Sequence, residues 1–177
     1  ADRLVAVRLL REHESAEART LLLEMAQDED SSVVAGALEP LVELEPARVI
    51  PLAKAAIARG DANVRRLVAV ALAACPSADN LALLADRLAD PVPSLRADVR
   101  QSLEKLAQSP DWRPEVLRQG ERMVQSERWT ALEQSVILLG TLNHSPAADR
   151  CVELLVHPRA EVYVAAAWGL RRLGVDR

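Results

Sequence analysis

The residue types that usually perform acid–base, nucleophilic or metal chemistry are few in this chain and widely spaced. Its histidines are His13, His144 and His157, and its cysteines are Cys75 and Cys151. Metal sites need such ligands at short, regular spacings, which are missing here, as are glycine-rich phosphate loops. His144 and His157 flank one short predicted helix, which favours turn or capping roles. The sequence therefore predicts no catalytic residue, no metal site and no cofactor.

The dominant pattern is a helix that recurs at a nearly fixed step and is clearest at Asp61–Cys75. Its apolar or small residues lie at offsets of 0, 4, 7, 8 and 11 from Val64, which form one face of an α-helix. Equivalent first positions are 33, 64, 95, 128 and 162, so the steps are 31, 31, 33 and 34 residues. The predicted core face comprises Val33, Ala37, Pro40, Leu41 and Leu44; Val64, Val68, Ala71, Leu72 and Cys75; Leu95, Val99, Ser102, Leu103 and Leu106; Leu132, Ser135, Val136 and Leu139; and Val162, Ala166, Gly169, Leu170 and Leu173. A further step of 31 back from Val33 adds Ala6, Leu9 and Leu10.

A second, outer helix is predicted between successive inner helices. We expect Ser15 and Ser77 to cap outer helices, and Asp61 and Ser94 to cap inner ones. Pro51 either opens the second outer helix after an irregular stretch or kinks a longer one.

This alternation predicts an all-α fold, a right-handed α–α superhelix of about eleven helices. A single helical pair cannot bury its apolar face, so stacked neighbours supply the missing cover. We predict a single domain over residues 1–177, which opens inside a helix and is expected to be a fragment of a longer chain. Its predicted half repeat and five full repeats are 1–13, 14–45, 46–76, 77–108, 109–143 and 144–177.

The start of the clearest inner helix, Asp61-Ala62-Asn63-Val64-Arg65, resembles the HEAT repeats, and especially the short HEAT-like repeats also seen in phycobilisome-lyase proteins. Leu95-Arg96 keeps part of this motif, whereas Arg128-Trp129 does not. The resemblance implies a solenoid whose inner helices line a concave face that usually binds a protein. We expect Arg65 and Arg96 to bond neighbouring turns, which is a structural role.

Composition narrows the function classes. Residues 1–45 carry 4 basic and 11 acidic side chains (net −7), and residues 46–177 carry 18 and 15 (net +3). The acidic end either simply faces water or engages a polar ligand. The total of −4, with three scattered Trp, is unfavourable for a nucleic-acid binder or a DNA glycosylase of HEAT-like fold.

The two cysteines fall on predicted core faces more than two repeats apart, which argues against a disulfide. Free buried thiols, and the lack of a signal peptide or long apolar stretch, predict a cytoplasmic protein without membrane insertion. We predict a non-catalytic scaffold that binds a protein partner or another part of the parent chain. The alternatives are a bilin-lyase-like or other assembly factor and a regulatory arm of a larger enzyme.

The predicted binding surface is the side of each inner helix opposite its core. Offsets 2, 5, 6 and 9 give a strip on which apolar anchors lie among Arg and Glu, suited to a helix or an extended peptide. Alternatively, other parts of the parent chain or the tight inner curvature cover these side chains. Trp168 is the strongest single anchor, because Trp often dominates binding energy. The predicted partner-binding residues are Val42, Arg66, Val70, Arg100, Glu104, Ile137, Trp168 and Arg171.

Overall fold

A computed structural model describes residues 2–13 and 15–174, and α-helices joined by short turns make up most of them. Short 3₁₀ turns lie at Pro46–Arg48, Ile50–Leu52, Asp86–Ala89 and Ser145–Ala147, and no strand occurs in the described part of the chain. The predicted all-α fold with about eleven helices is confirmed. The α-helices are α1 (Asp2–Arg11), α2 (Ala16–Met25), α3 (Ser31–Leu44), α4 (Ala53–Arg59), α5 (Ala62–Ala74), α6 (Ala78–Ala85), α7 (Pro93–Leu106), α8 (Arg113–Met123), α9 (Trp129–Thr141), α10 (Ala148–Leu154) and α11 (Ala160–Arg172).

The chain divides into two compact units, Ala1–Pro76 and Ser77–Arg177. In the first unit, the inner helices α3 and α5 pack side by side, and α2 and α4 pack as outer helices against α3 and α5 respectively. In the second unit, α9 packs between the inner helices α7 and α11, while the outer helices α6 and α8 contact each other. Each unit thus has the layered helical pairs that the repeat pattern predicts. A single domain over the whole chain stays a prediction.

Helix starts follow the capping residues in most repeats. The Ser15 hydroxyl accepts a hydrogen bond from the Ala18 amide at 3.0 Å, and Ser77 accepts one from the Asn80 amide at 3.1 Å. The Asp61 carboxylate accepts from the amides of residues 63 and 64 at 2.9 and 3.0 Å. These three predicted caps are confirmed, and each satisfies an amide that has no partner within its helix.

The predicted cap at Ser94 is wrong, because α7 begins one residue earlier, at Pro93. Proline is favourable at the first helical position, where its fixed φ suits the helix and no amide donor is needed. The prediction for Pro51 is incomplete, since two 3₁₀ turns precede α4 and Pro51 lies inside the second of them. The irregular stretch is therefore present, but α4 itself opens at Ala53.

Burial confirms most of the predicted core face. The positions at offsets 0, 4 and 8 are buried in four of the five repeats, and Leu103 is 0% exposed. The prediction that residues at offset 11 belong to the core is wrong in part, since Leu44 is 56% exposed and Cys75, Leu106 and Leu173 are only half-buried. These four residues lie in the last helical turn or just beyond it, where the chain leaves the packed layer. Pro40 and Ser102 are also only half-buried.

The register predicted for α1 is wrong. Val7 is its buried residue, whereas Leu9 is 57% exposed and Ala6 and Leu10 are half-buried. The separation from Val7 to buried Ala37 is 30 residues (37 − 7), one fewer than the step of 31 used for the prediction. One residue rotates a helix by about 100°, which moves Leu9 out of the core.

Candidate functional site

An apolar, open groove of the second unit lies between the inner helices α9 and α11 and has a volume of about 650 Å³. Ile137 from α9 is half-buried, whereas Val164 and Trp168 from α11 are 58% and 41% exposed. These three side chains form the apolar surface that we call the Trp168 groove. Its remaining lining residues are Glu133, Ala160, Glu161 and Ala165.

Glycine allows the two helices that form this groove to approach closely. A Cβ atom on Gly140 of α9 would lie 2.8 Å from Cζ3 of Trp168 and 3.3 Å from the Cα of Gly169. Larger side chains are therefore excluded from this crossing point, and the Trp168 ring packs directly over the backbone of α9. On the same two helices, Val136, Leu139, Ala166 and Leu170 belong to one buried cluster, and Ile137 packs against it. The two helices that form the groove are therefore joined by a buried core.

The charged residues of the Trp168 groove are both acidic. Glu133 accepts a hydrogen bond from Nε2 of Gln134 at 3.1 Å, and Gln134 in turn accepts one from Nε of Arg100 at 3.1 Å. Arg100 also pairs with Glu104, one turn further along α7. Glu161 is exposed at the start of α11. The groove therefore combines an apolar floor with a negatively charged rim.

Of the predicted partner-binding residues in the second unit, Ile137 and Trp168 come together in the groove. Arg100 and Glu104 lie outside it and bond each other, so their charges are largely satisfied within the protein. Arg171 is exposed in the last turn of α11, beyond the groove lining. The groove residues that the sequence did not indicate are Ala160, Glu161 and Ala165, since they lie at offsets −2, −1 and 3, outside the offsets taken to form the face.

In the first unit, the predicted residues lie on the adjacent inner helices α3 and α5. Val42 on α3 and Arg66 on α5 are half-buried, whereas Val70 is 50% exposed. Val70 is therefore the more accessible of the two valines.

The motif arginines bond the turn that precedes their own helix. Nη1 of Arg65 donates to the carbonyl of Gly60 at 3.1 Å, and Nη1 of Arg96 donates to the carbonyl of Asp90 at 2.8 Å. In the next repeat, Trp129 occupies the position of the motif arginine. The guanidinium carbon of Arg96 lies 5.8 Å from the centre of the Trp129 ring, close enough for a cation–π contact. The predicted structural role of both arginines is supported, but this contact with Trp129 was not predicted.

The histidines and cysteines take structural positions. Nδ1 of His157 accepts a hydrogen bond from the Arg159 amide at 3.1 Å just before α11, and Nε2 of His144 lies 2.6 Å from Oε1 of Glu121 in the turn before α10. The predicted turn and capping roles are therefore confirmed. Both cysteines are free, and burial raises the pKa of the Cys151 thiol, which lowers its reactivity.

The described residues contain no cluster of three or more His, Cys, Asp or Glu side chains that could hold a metal ion. None of the helices in residues 2–13 and 15–174 is long and apolar enough to cross a membrane.

Comparison with known proteins identifies the fold. No family model matches the chain, and no curated protein is similar to it. Among solved structures, a designed armadillo repeat protein in complex with the peptide (KR)4 is 14% identical, with a TM-score of 0.49 over 94% of this chain and 91% of that one. The archaeal HEAT-like repeats protein from Thermococcus onnurineus NA1 is 18% identical, with a TM-score of 0.50 over 97% of this chain and 75% of that one. From the latter similarity and the repeating helical pairs, we conclude that the chain has the all-α, HEAT-like repeat fold.

Proposed function

We propose that this protein is a non-catalytic scaffold that binds a helix or an extended peptide of a partner protein along its inner helices. The observation that carries the proposal is the Trp168 groove, where Trp168 and Val164 remain accessible on a helix that approaches α9 closely. A Trp held in place by packing loses little conformational freedom on binding, so most of its contact area contributes to affinity.

The groove also defines the chemistry of the partner. Its apolar floor accepts a Leu, Ile, Phe or Met side chain, and Glu133 and Glu161 favour Lys or Arg next to that anchor. The residues proposed to bind the partner are Val42, Arg66 and Val70 in the first unit and Arg100, Glu104, Ile137, Trp168 and Arg171 in the second. Arg100 and Glu104 act mainly through the bonds that hold Gln134 against Glu133.

Selection from a random peptide library tests the proposal before the natural partner is identified. Peptides selected on the wild-type protein should contain an apolar residue close to Lys or Arg. Their affinity should fall at least about tenfold in Trp168→Ala and clearly in Val164→Ser, since a buried Trp anchor often contributes about 2 kcal/mol or more.

Val156→Ser is the matched control, because Val156 is 89% exposed but lies outside the groove. This variant should bind as the wild type does, and thermal melts should show that all three variants remain folded. Selected peptides that bind Trp168→Ala and the wild type equally would contradict the assignment. Loss of binding in Val70→Ser alone would move the interface to the first unit.

A further inference from the structure

A second cavity of the second unit has a different character from the Trp168 groove. It lies where the turn after α6 meets the turn after α8 and has a volume of about 420 Å³. Three of its lining side chains, Arg87, Arg122 and Arg128, are basic, and Asp86 is acidic. We call this cavity the arginine pocket.

The single carboxylate does not balance the three guanidinium groups. Nη2 of Arg122 donates to Oδ1 of Asp86 at 2.8 Å, and Nε of Arg122 donates to the amide oxygen of Gln119 at 2.8 Å. Arg122 and Asp86 therefore largely neutralise each other. Neither Arg87 nor Arg128 has a carboxylate partner within the described part of the chain. The pocket retains an excess of positive charge.

Arg87 contains a further unsatisfied group. Its Nε is buried, and no atom of the described residues accepts a hydrogen bond from it. Leaving a buried donor without an acceptor is costly, but Nε of Arg96 is buried in the same way, so this group by itself does not mark a ligand site. What distinguishes the arginine pocket is the uncompensated positive charge that Arg87 and Arg128 bring to its lining.

The neutral side chains of the pocket suit an anion as well. Gln125 lies three residues before position 128, the first core position of its inner helix. At the equivalent position, the first two inner helices have the capping residues Asp30 and Asp61. α9 has no side-chain cap of its own. The Ser126 hydroxyl accepts a hydrogen bond from the Arg128 amide at 3.1 Å, so its proton remains available to another oxygen.

The corresponding cavity in the first unit has no excess of positive charge. It lies between the turn after α2 and the turn after α4, and its charged lining residues are Asp28, Glu29 and Arg59. Asp28 is already bonded there by Nη1 of Arg3, at 2.8 Å to each carboxylate oxygen. Helical pairs of this kind therefore pack without an excess of arginine at this position, which means that the positive charge of the arginine pocket is not a requirement of the fold.

We propose that the arginine pocket binds a phosphate group, either free inorganic phosphate or a phosphate monoester. Guanidinium groups match the paired oxygens of phosphate and form short, charge-assisted hydrogen bonds with them. Arg87 and Arg128 supply the uncompensated charge, and Gln125 and Ser126 add neutral donors. This inference is independent of peptide binding in the Trp168 groove, since the two sites share no lining residue.

Nuclear magnetic resonance titration of the ¹⁵N-labelled chain with inorganic phosphate, at an ionic strength held constant with potassium chloride, tests the proposal. The expected result is saturable shifts of the Arg87 Nε–H signal and of the amides of residues 125–128. The double variant Arg87→Gln/Arg128→Gln should bind phosphate at least about tenfold more weakly, as expected for the loss of charge-assisted hydrogen bonds. Arg118→Gln is the matched control, because Arg118 is an exposed arginine of α8 outside the pocket.

Two further titrations distinguish the source of the phosphate. A phosphoserine peptide that binds more tightly than inorganic phosphate, at the same residues, indicates a phosphorylated partner, while equal affinities indicate a free anion. Shifts that rise linearly with phosphate, or that also affect Arg118, would overturn the proposal. So would duplex DNA that shifts arginines throughout the chain while inorganic phosphate shifts none. If the double variant does not fold, Arg128→Gln alone provides the test, since Arg128 is exposed.

Discussion

The substitution Leu103→Ala tests the assignment of the core directly. Leu103 lies on α7 at offset 8 of the repeat and is 0% exposed. The change removes three carbon atoms, whose transfer from water accounts for about 2.4 kcal/mol at about 0.8 kcal/mol per methylene. The cavity that remains adds a further cost, so we expect a loss of about 2–5 kcal/mol in the free energy of unfolding. That is a large share of the total stability of a small unit.

Urea denaturation followed by circular dichroism measures this loss. The matched control is Leu155→Ala in the same unit, because Leu155 is 41% exposed and should cost much less. The comparison must be made within the second unit, since the two units need not unfold together. A free energy of unfolding that falls no further in Leu103→Ala than in Leu155→Ala would refute the repeat register.

Two further substitutions test local contacts. Asp61→Ala removes both hydrogen bonds to the start of α5 and should lower the free energy of unfolding, measured by urea denaturation, by about 0.5–2 kcal/mol. Asp61→Asn keeps a capping oxygen and should lower it much less. Equal losses in the two variants would contradict the capping role. Hydrogen bonding from Arg118 holds the pKa of Glu115 below its ordinary value of 4.5. This carboxylate therefore stabilises the folded state above pH 4.5, and its contribution disappears as the pH falls through the lowered pKa. Glu115→Gln should therefore flatten the acid side of the stability profile, and an unchanged acid side would contradict the assignment.

The sequence was sufficient to predict the fold because the same periodic pattern recurs in five places. Val64, Leu95 and Val162 head three of these patterns, and each is buried. Periodicity is less informative where the step between repeats changes. In α1, a change of one residue in the step rotates the face, so the pattern places Leu9 in the core where the structure has Val7. The pattern also does not indicate where a helix ends, which is why it predicts a buried Leu44.

The candidate sites were predictable only in part, for a related reason. Offsets within one helix identify the side opposite the core, and Ile137 and Trp168 both lie on it. They do not indicate which side chains of neighbouring repeats meet. The pairing of Arg100 with Gln134 and the joint position of Arg87 and Arg128 depend on how separate turns and helices approach one another. No single-helix pattern contains that information.

The two cavities at corresponding turns show how a repeat protein acquires distinct ligand chemistry. Buried columns are restricted because each layer must fit the next, whereas the turn between paired helices is restricted mainly at its caps. The turn after α2 therefore presents Asp28 and Glu29, while the turn after α8 presents Gln125 and Arg128 at the edge of the same kind of helical pair. Once Asp28 is paired with Arg3, the first cavity keeps one Glu and one Arg, whereas the second has an excess of arginine, and the proposed phosphate site is therefore the second cavity. Binding by such a chain is therefore determined by the residues that break the repeat pattern, and the residues that follow it hold them in place.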